Sequence, residues 1–104
     1  MASTEIQHVY VIYETTGGIE SVLKYGVSAD TYDAASEYSA RASKQTNALN
    51  NNPDGTTFRY EIVQDGLPDR VSALNLEYAL VEEFFLAYGR NPRGNIYPII
   101  KTVP

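Results

Sequence analysis

One stretch constrains the fold more than any other: QHVYVIYETTGGIESVLKYGVS, residues 7–28. Its first part, QHVYVIYE at 7–14, is dense in β-branched and aromatic residues, which suit a pleated surface, so it reads as a strand. TTGG at 15–18 is a turn, and IESVLKYGVS at 19–28 reads as the returning strand of a β-hairpin. Side chains alternate along a strand. His8, Tyr10 and Ile12 therefore share one face, and Val9, Val11 and Tyr13 the other.

The remainder alternates between helical and extended patterns. Residues 30–50, DTYDAASEYSARASKQTNALN, are alanine-rich and predict a helix with Asp30 or Asp33 as N-cap and Ala34, Tyr38, Ala42, Ala48 and Leu49 on its apolar side. NNNPDGT at 50–56 is turn chemistry. TFRYEIVQD at 57–65 alternates Phe58, Tyr60 and Ile62 with polar partners and predicts a third strand. GLPD at 66–69 leads into a second helix over about 69–88. The tail, RNPRGNIYPIIKTVP, carries three of the five prolines and reads as loop or a short edge strand. The expectation is a single α+β domain over 1–104, β-β-α-β-α, with a small antiparallel three-stranded sheet, two covering helices and a short C-terminal tail.

Composition narrows the chemistry. With 104 residues there is material for one core and not for two. The absence of cysteine excludes disulfides and thiolate metal sites, and a single histidine argues against a multi-histidine zinc site. No apolar run approaches the length of a membrane span, and no signal-peptide pattern opens the chain. The net charge of −5 argues mildly against nucleic acid, although a few cations gathered in one cleft would outweigh it locally.

Against this ordinary background Glu77 stands out. At about 100° per residue, Leu74, Leu80, Val81, Phe84 and Tyr88 fall within about 60° of it, while Glu82 and Glu83 point away. A carboxylate in an apolar stripe is rarely buried unless something pairs with it or binds to it. The plain explanation is an ion pair with Arg41, Arg59 or Arg70. The functional one is a metal ligand that holds Mg²⁺ together with waters and a substrate phosphate. Arg41 is either a solvated arginine whose stem covers core surface or a phosphate clamp. Lys24 sits mid-strand, where lysine otherwise guards an edge against aggregation. His8 titrates near neutrality, which alone says little. No phosphate-binding glycine loop and no serine–histidine–acid pattern is present.

In order, these motifs are a strand with a tyrosine (HVYVI), a second strand with K-x-G-[IV]-S (Lys24, Gly26, Val27, Ser28), and a helix with R-x3-Q-x-N-x-L-N (Arg41, Gln45, Asn47, Leu49, Asn50). A third strand (FRYEIV) and a helix with R-x2-A-L-x2-E (Arg70, Ala73, Leu74, Glu77) follow. This order resembles the GIY-YIG endonuclease superfamily, the URI nuclease fold, and most closely its toxin domains in bacterial polymorphic toxins. The resemblance spans roughly residues 8–98, with the nuclease-like core at about 7–98.

The resemblance implies a metal-dependent endonuclease acting on DNA or RNA, with one Mg²⁺ or Mn²⁺ on Glu77, a phosphate-binding Arg41, and Tyr10 positioning the attacking water. Lys24 stands where the second motif's tyrosine belongs, and His8 where the first motif's glycine does. The general base is therefore open among Tyr10, Lys24 and His8. Lys44, Gln45, Arg59 and Arg70 are the expected substrate contacts. The setting it implies is a secreted effector acting in the cytoplasm of a target cell, neutralised in kin cells by a cognate immunity protein, with no membrane partner. Two other readings remain open: an inactive URI-like module that binds a protein through its tyrosine-rich surface, and a structural module with Glu77 salt-bridged. The nuclease reading requires Tyr10, Lys24, Arg41 and Glu77 to converge.

Overall fold

The computed structural model describes residues 6–51 and 54–95. In chain order the elements are β1 (Gln7–Thr16), β2 (Ile19–Ser28), β3 (Tyr32–Asp33), β4 (Tyr38–Ser39), α1 (Ala40–Asn50), β5 (Thr57–Leu67) and α2 (Arg70–Tyr88). The main sheet is antiparallel with order β2-β1-β5. β1 is thus the central strand, paired on both sides, which explains its almost continuous burial.

The alternation along β1 distributes the two helices. Tyr10, Ile12, Leu23 and Ala42 form a buried cluster with Leu49, Phe58, Tyr60 and Ile62 against it, so α1 covers the face carrying His8, Tyr10 and Ile12. Val9 and Val11 are buried on the other face, where α2 lies towards β2 and contributes Ala73, Val81 and Phe84. The domain is an α+β sandwich with the sheet in the middle. Burying side chains such as Ile12 or Val81 stabilises by about 1.5–3 kcal/mol each.

β2 carries one extra residue. Ile12 pairs with Lys24 but Tyr13 pairs with Val22, so Leu23 is bulged out of the ladder. The bulge sets Leu23 in the α1-side core while Lys24 faces the same side as Tyr10.

The first helix departs from expectation. It begins at Ala40, capped by Ser39, and neither Asp30 nor Asp33 caps it. Asp30 instead accepts a hydrogen bond from the Thr31 amide (2.7 Å), and Asp33 accepts from the Ser36 hydroxyl (2.9 Å); both tie local turns. Glu37 adopts a left-handed φ of 53°, and Tyr32–Asp33 and Tyr38–Ser39 pair as a two-residue ribbon. Consequently Ala34, Tyr38 and Ala48 are exposed, and Thr46 joins Ala42 in the interior, its hydroxyl donating to the Ala42 carbonyl (3.0 Å). On α2, Leu74 and Tyr88 are exposed too, because among the described residues α2 packs through one flank. The tail is described as far as Asn95; its remaining residues, with the end of the expected nuclease-like core, lie outside the described ones.

Candidate active site

Tyr10 lies across the sheet towards β2. It pairs with Gly26, and a Cβ built on Gly26 would stand 2.3 Å from Tyr10 Cζ and 2.4 Å from its hydroxyl. Only glycine leaves room for this ring. The Tyr10 hydroxyl donates to Gln45 Oε1 at 2.7 Å, one turn along α1 from Arg41. Gln45, expected to touch substrate, is engaged within the fold instead, where it fixes the tyrosine.

Two charged groups bear on this hydroxyl, Arg41 from α1 and Glu77 from α2. Burial pushes the Tyr10 phenol above its ordinary value, the adjacent Arg41 guanidinium draws it back in part, and Glu77 adds to the rise. Burial lowers Lys24 below the usual ammonium value; Arg41 lowers it further and Glu77 opposes them. Both Arg41 and Glu77 therefore act on both Tyr10 and Lys24. The four residues, from β1, β2, α1 and α2, form one electrostatic neighbourhood. Glu77 is half-buried on the same flank as Ala73, Val81 and Phe84, and Arg41 is exposed.

Arg41 and Arg70 share the next feature, a polar depression of about 260 Å³ lined also by Val27, Ser28, Ala29 and Asp30. Two guanidinium forks on one small polar surface suit phosphate oxygens. Lys44 is exposed on α1, three residues from Arg41, which puts it on the same flank.

Arg59 is not part of this group. It pairs with Tyr13 across the sheet and so projects from the opposite face to Tyr10. There it donates to Glu20 (2.7 Å) and Glu61 (2.5 Å), with its guanidinium 4.4 Å from the Tyr13 ring centroid. His8 also has another role. It is 2% exposed, its Nε2 lies 2.7 Å from Ser39 Oγ, and its ring stacks on Tyr32 at 4.7 Å. Ser39 Oγ in turn accepts from the Ala42 amide at 3.2 Å, so His8 supports the cap of the helix that carries Arg41. Burial lowers His8 below its ordinary value against the pull of Asp65 and Asp30, and the ring is neutral at pH 7.

As for a metal, no group of three or more His, Cys, Asp or Glu side chains occurs among the described residues. What the site offers is one carboxylate on a rigid helix, a hard oxygen donor that suits an ion retaining its waters and taking further oxygens from a phosphate. The donor chemistry fits Mg²⁺ or Mn²⁺ on Glu77.

A scan of protein-family models and searches of curated proteins and of solved structures each returned no match.

Proposed function

We propose that this chain is a metal-dependent nuclease that hydrolyses phosphodiester bonds of DNA or RNA, as the toxin domain of a secreted bacterial effector. It would act in the cytoplasm of a target cell and be held in check by a cognate immunity protein. One observation carries the reading: Tyr10, Lys24, Arg41 and Glu77 come from four elements, and Arg41 and Glu77 each bear on both Tyr10 and Lys24. Packing alone does not require two cations, a carboxylate and a buried phenol together.

In this reading Arg41 and Arg70 hold non-bridging phosphate oxygens. The raised Tyr10 phenol keeps its proton through the neutral range, so its hydroxyl orients water and does not act as a phenolate base. Lys24, drawn below the usual ammonium value by burial and by Arg41, would take the water's proton in its neutral form and hold phosphate in its charged form. Glu77 would hold the divalent ion, which when bound supplies charge stabilisation at the phosphate and the leaving oxygen.

The test is incubation of the purified chain with plasmid DNA and with total RNA, in Mg²⁺ or EDTA, beside Glu77→Gln. Cleavage should require the metal, and the variant should lose about 10²-fold or more in rate while remaining folded. Full activity in Glu77→Gln would end the proposal.

A second reading has its own observation. On the far face of the sheet, Tyr13, Tyr25, Phe84, Tyr88, Glu20 and Glu83 line a cleft of about 490 Å³, and Val71, Leu74, Tyr78 and Leu86 are exposed along α2. These features suit an inactive URI-like protein-binding module. A folded chain that cuts neither nucleic acid would favour it.

A further inference from the structure

Among the described residues β2 is an edge strand, and an edge leaves backbone groups pointing outward. At Tyr25 both outward groups are taken by a single side chain. The Tyr25 amide donates to Asn95 Oδ1 at 2.8 Å, and Asn95 Nδ2 donates to the Tyr25 carbonyl at 3.0 Å. The carboxamide does what a neighbouring strand's peptide would do. One residue earlier, the Gly94 amide donates to the carbonyl of the bulged Leu23 at 2.7 Å. Arg93 then reaches back to β1 and pairs with Glu14, a buried carboxylate on the face of Tyr10 and Ile12. Pro92 and Asn95 are themselves buried, and the Asn95 amide closes a turn on the Pro92 carbonyl (2.9 Å). Residues 92–95 are thus a strap anchored to both strands.

What the strap covers is the stem of Lys24. A Cβ on Gly94 would stand 2.8 Å from Lys24 Cβ and 3.3 Å from its Cγ. Backbone presses directly on the side chain between the bulge and the ammonium. A lysine stem has four rotatable bonds, and covering the first two removes much of their freedom. We propose that residues 92–95 are a positioning element for Lys24: Asn95 and Arg93 fasten the strap, Gly94 bears on the stem, and the amine is thereby held towards Tyr10, Arg41 and Glu77. The catalytic significance rests on the nuclease reading; the mechanical claim does not.

The two are separable by experiment on the full chain, which has three lysines, Lys24, Lys44 and Lys101. Acetylation by an N-hydroxysuccinimide ester, followed residue by residue with mass spectrometry, reports how freely each amine is reached. In the native chain Lys24 should react several-fold more slowly than exposed Lys44. Asn95→Ala should speed Lys24 several-fold and leave Lys44 unchanged, while hydrogen exchange at the Tyr25 amide quickens. Where that variant fails to fold, Arg93→Gln loosens the other anchor with β2's bonds intact and should shift Lys24 the same way by less. An unchanged Lys24 rate in a folded variant whose strap has opened overturns the proposal. On active protein, Asn95→Ala should lower kcat about tenfold or more with KM little altered, because a misplaced group affects the chemical step; an unaltered kcat overturns the catalytic part. A native chain that cuts no nucleic acid removes the nuclease reading and leaves the acetylation result standing.

Discussion

At the scale of single residues, the close approach of Tyr10 and Gly26 ties the sheet to the candidate site. The glycine is needed for space, since its φ is not in the left-handed region and the obstruction is a ring. Gly26→Ala should therefore destabilise the fold by about 1–3 kcal/mol, the cost of overpacking, and rotate Tyr10 away from Gln45. Urea denaturation measures the first effect and the Tyr10 ring resonances the second. Tyr10→Phe keeps the ring and removes the hydroxyl with its bond to Gln45, so its stability should fall by about 1 kcal/mol. Phe58 is treated as Tyr25 is: Asn50 Oδ1 accepts from its amide (2.7 Å) and Asn50 Nδ2 donates to its carbonyl (2.9 Å). Both outer strands are thus closed locally by an asparagine carboxamide.

At the scale of elements, the start of α1 depends on a chain of contacts from β1. His8 supports Ser39, Ser39 caps Ala42, and the Ser39 amide donates to the Tyr60 hydroxyl at 3.1 Å. Ser39→Ala removes the cap and leaves a buried ring nitrogen without its partner, so a loss of about 1–2 kcal/mol is expected in thermal unfolding. The same contact makes stability depend on pH. The folded His8 value lies below the unfolded value of about 6.5, so the unfolded chain binds the proton more readily. The contribution of neutral His8 is complete above that unfolded value. It is lost as pH falls from there to the lower folded value, and no more is lost beyond it. Tm measured at descending pH should fall across this window, and His8→Gln should flatten it, since His8 is the only histidine.

At the scale of the molecule, a net charge of −5 and the proposed phosphate-binding role are compatible through segregation. Arg41, Arg70 and Lys24 serve one region, whereas Glu20 and Glu61 hold Arg59 on the other face. Arg70→Ala should reduce the salt dependence of nucleic-acid binding by about one unit of slope, and Arg59→Ala should leave it unchanged. Fluorescence anisotropy over a salt series distinguishes them. Equal effects from both variants would mean that binding follows overall charge and not this depression.

The sequence by itself determined the hairpin, the third strand and the second helix, because each is written in local periodicity: alternation over 7–28 and 57–65, and a helical apolar stripe after Asp69. It also marked Glu77, since a carboxylate within that stripe is visible without coordinates. Tertiary structure decided what depends on distant partners. α1 starts at Ala40 because its cap is chosen by His8 and Tyr60, thirty-one and twenty-one residues from Ser39, and no local rule ranks Ser39 above Asp30 or Asp33. Arg59 left the basic group through strand register, which a one-residue change would have reversed. The strap on Lys24 joins Asn95 to Tyr25 across seventy residues of chain, and that pairing exists only once the edge of β2 has formed to receive it.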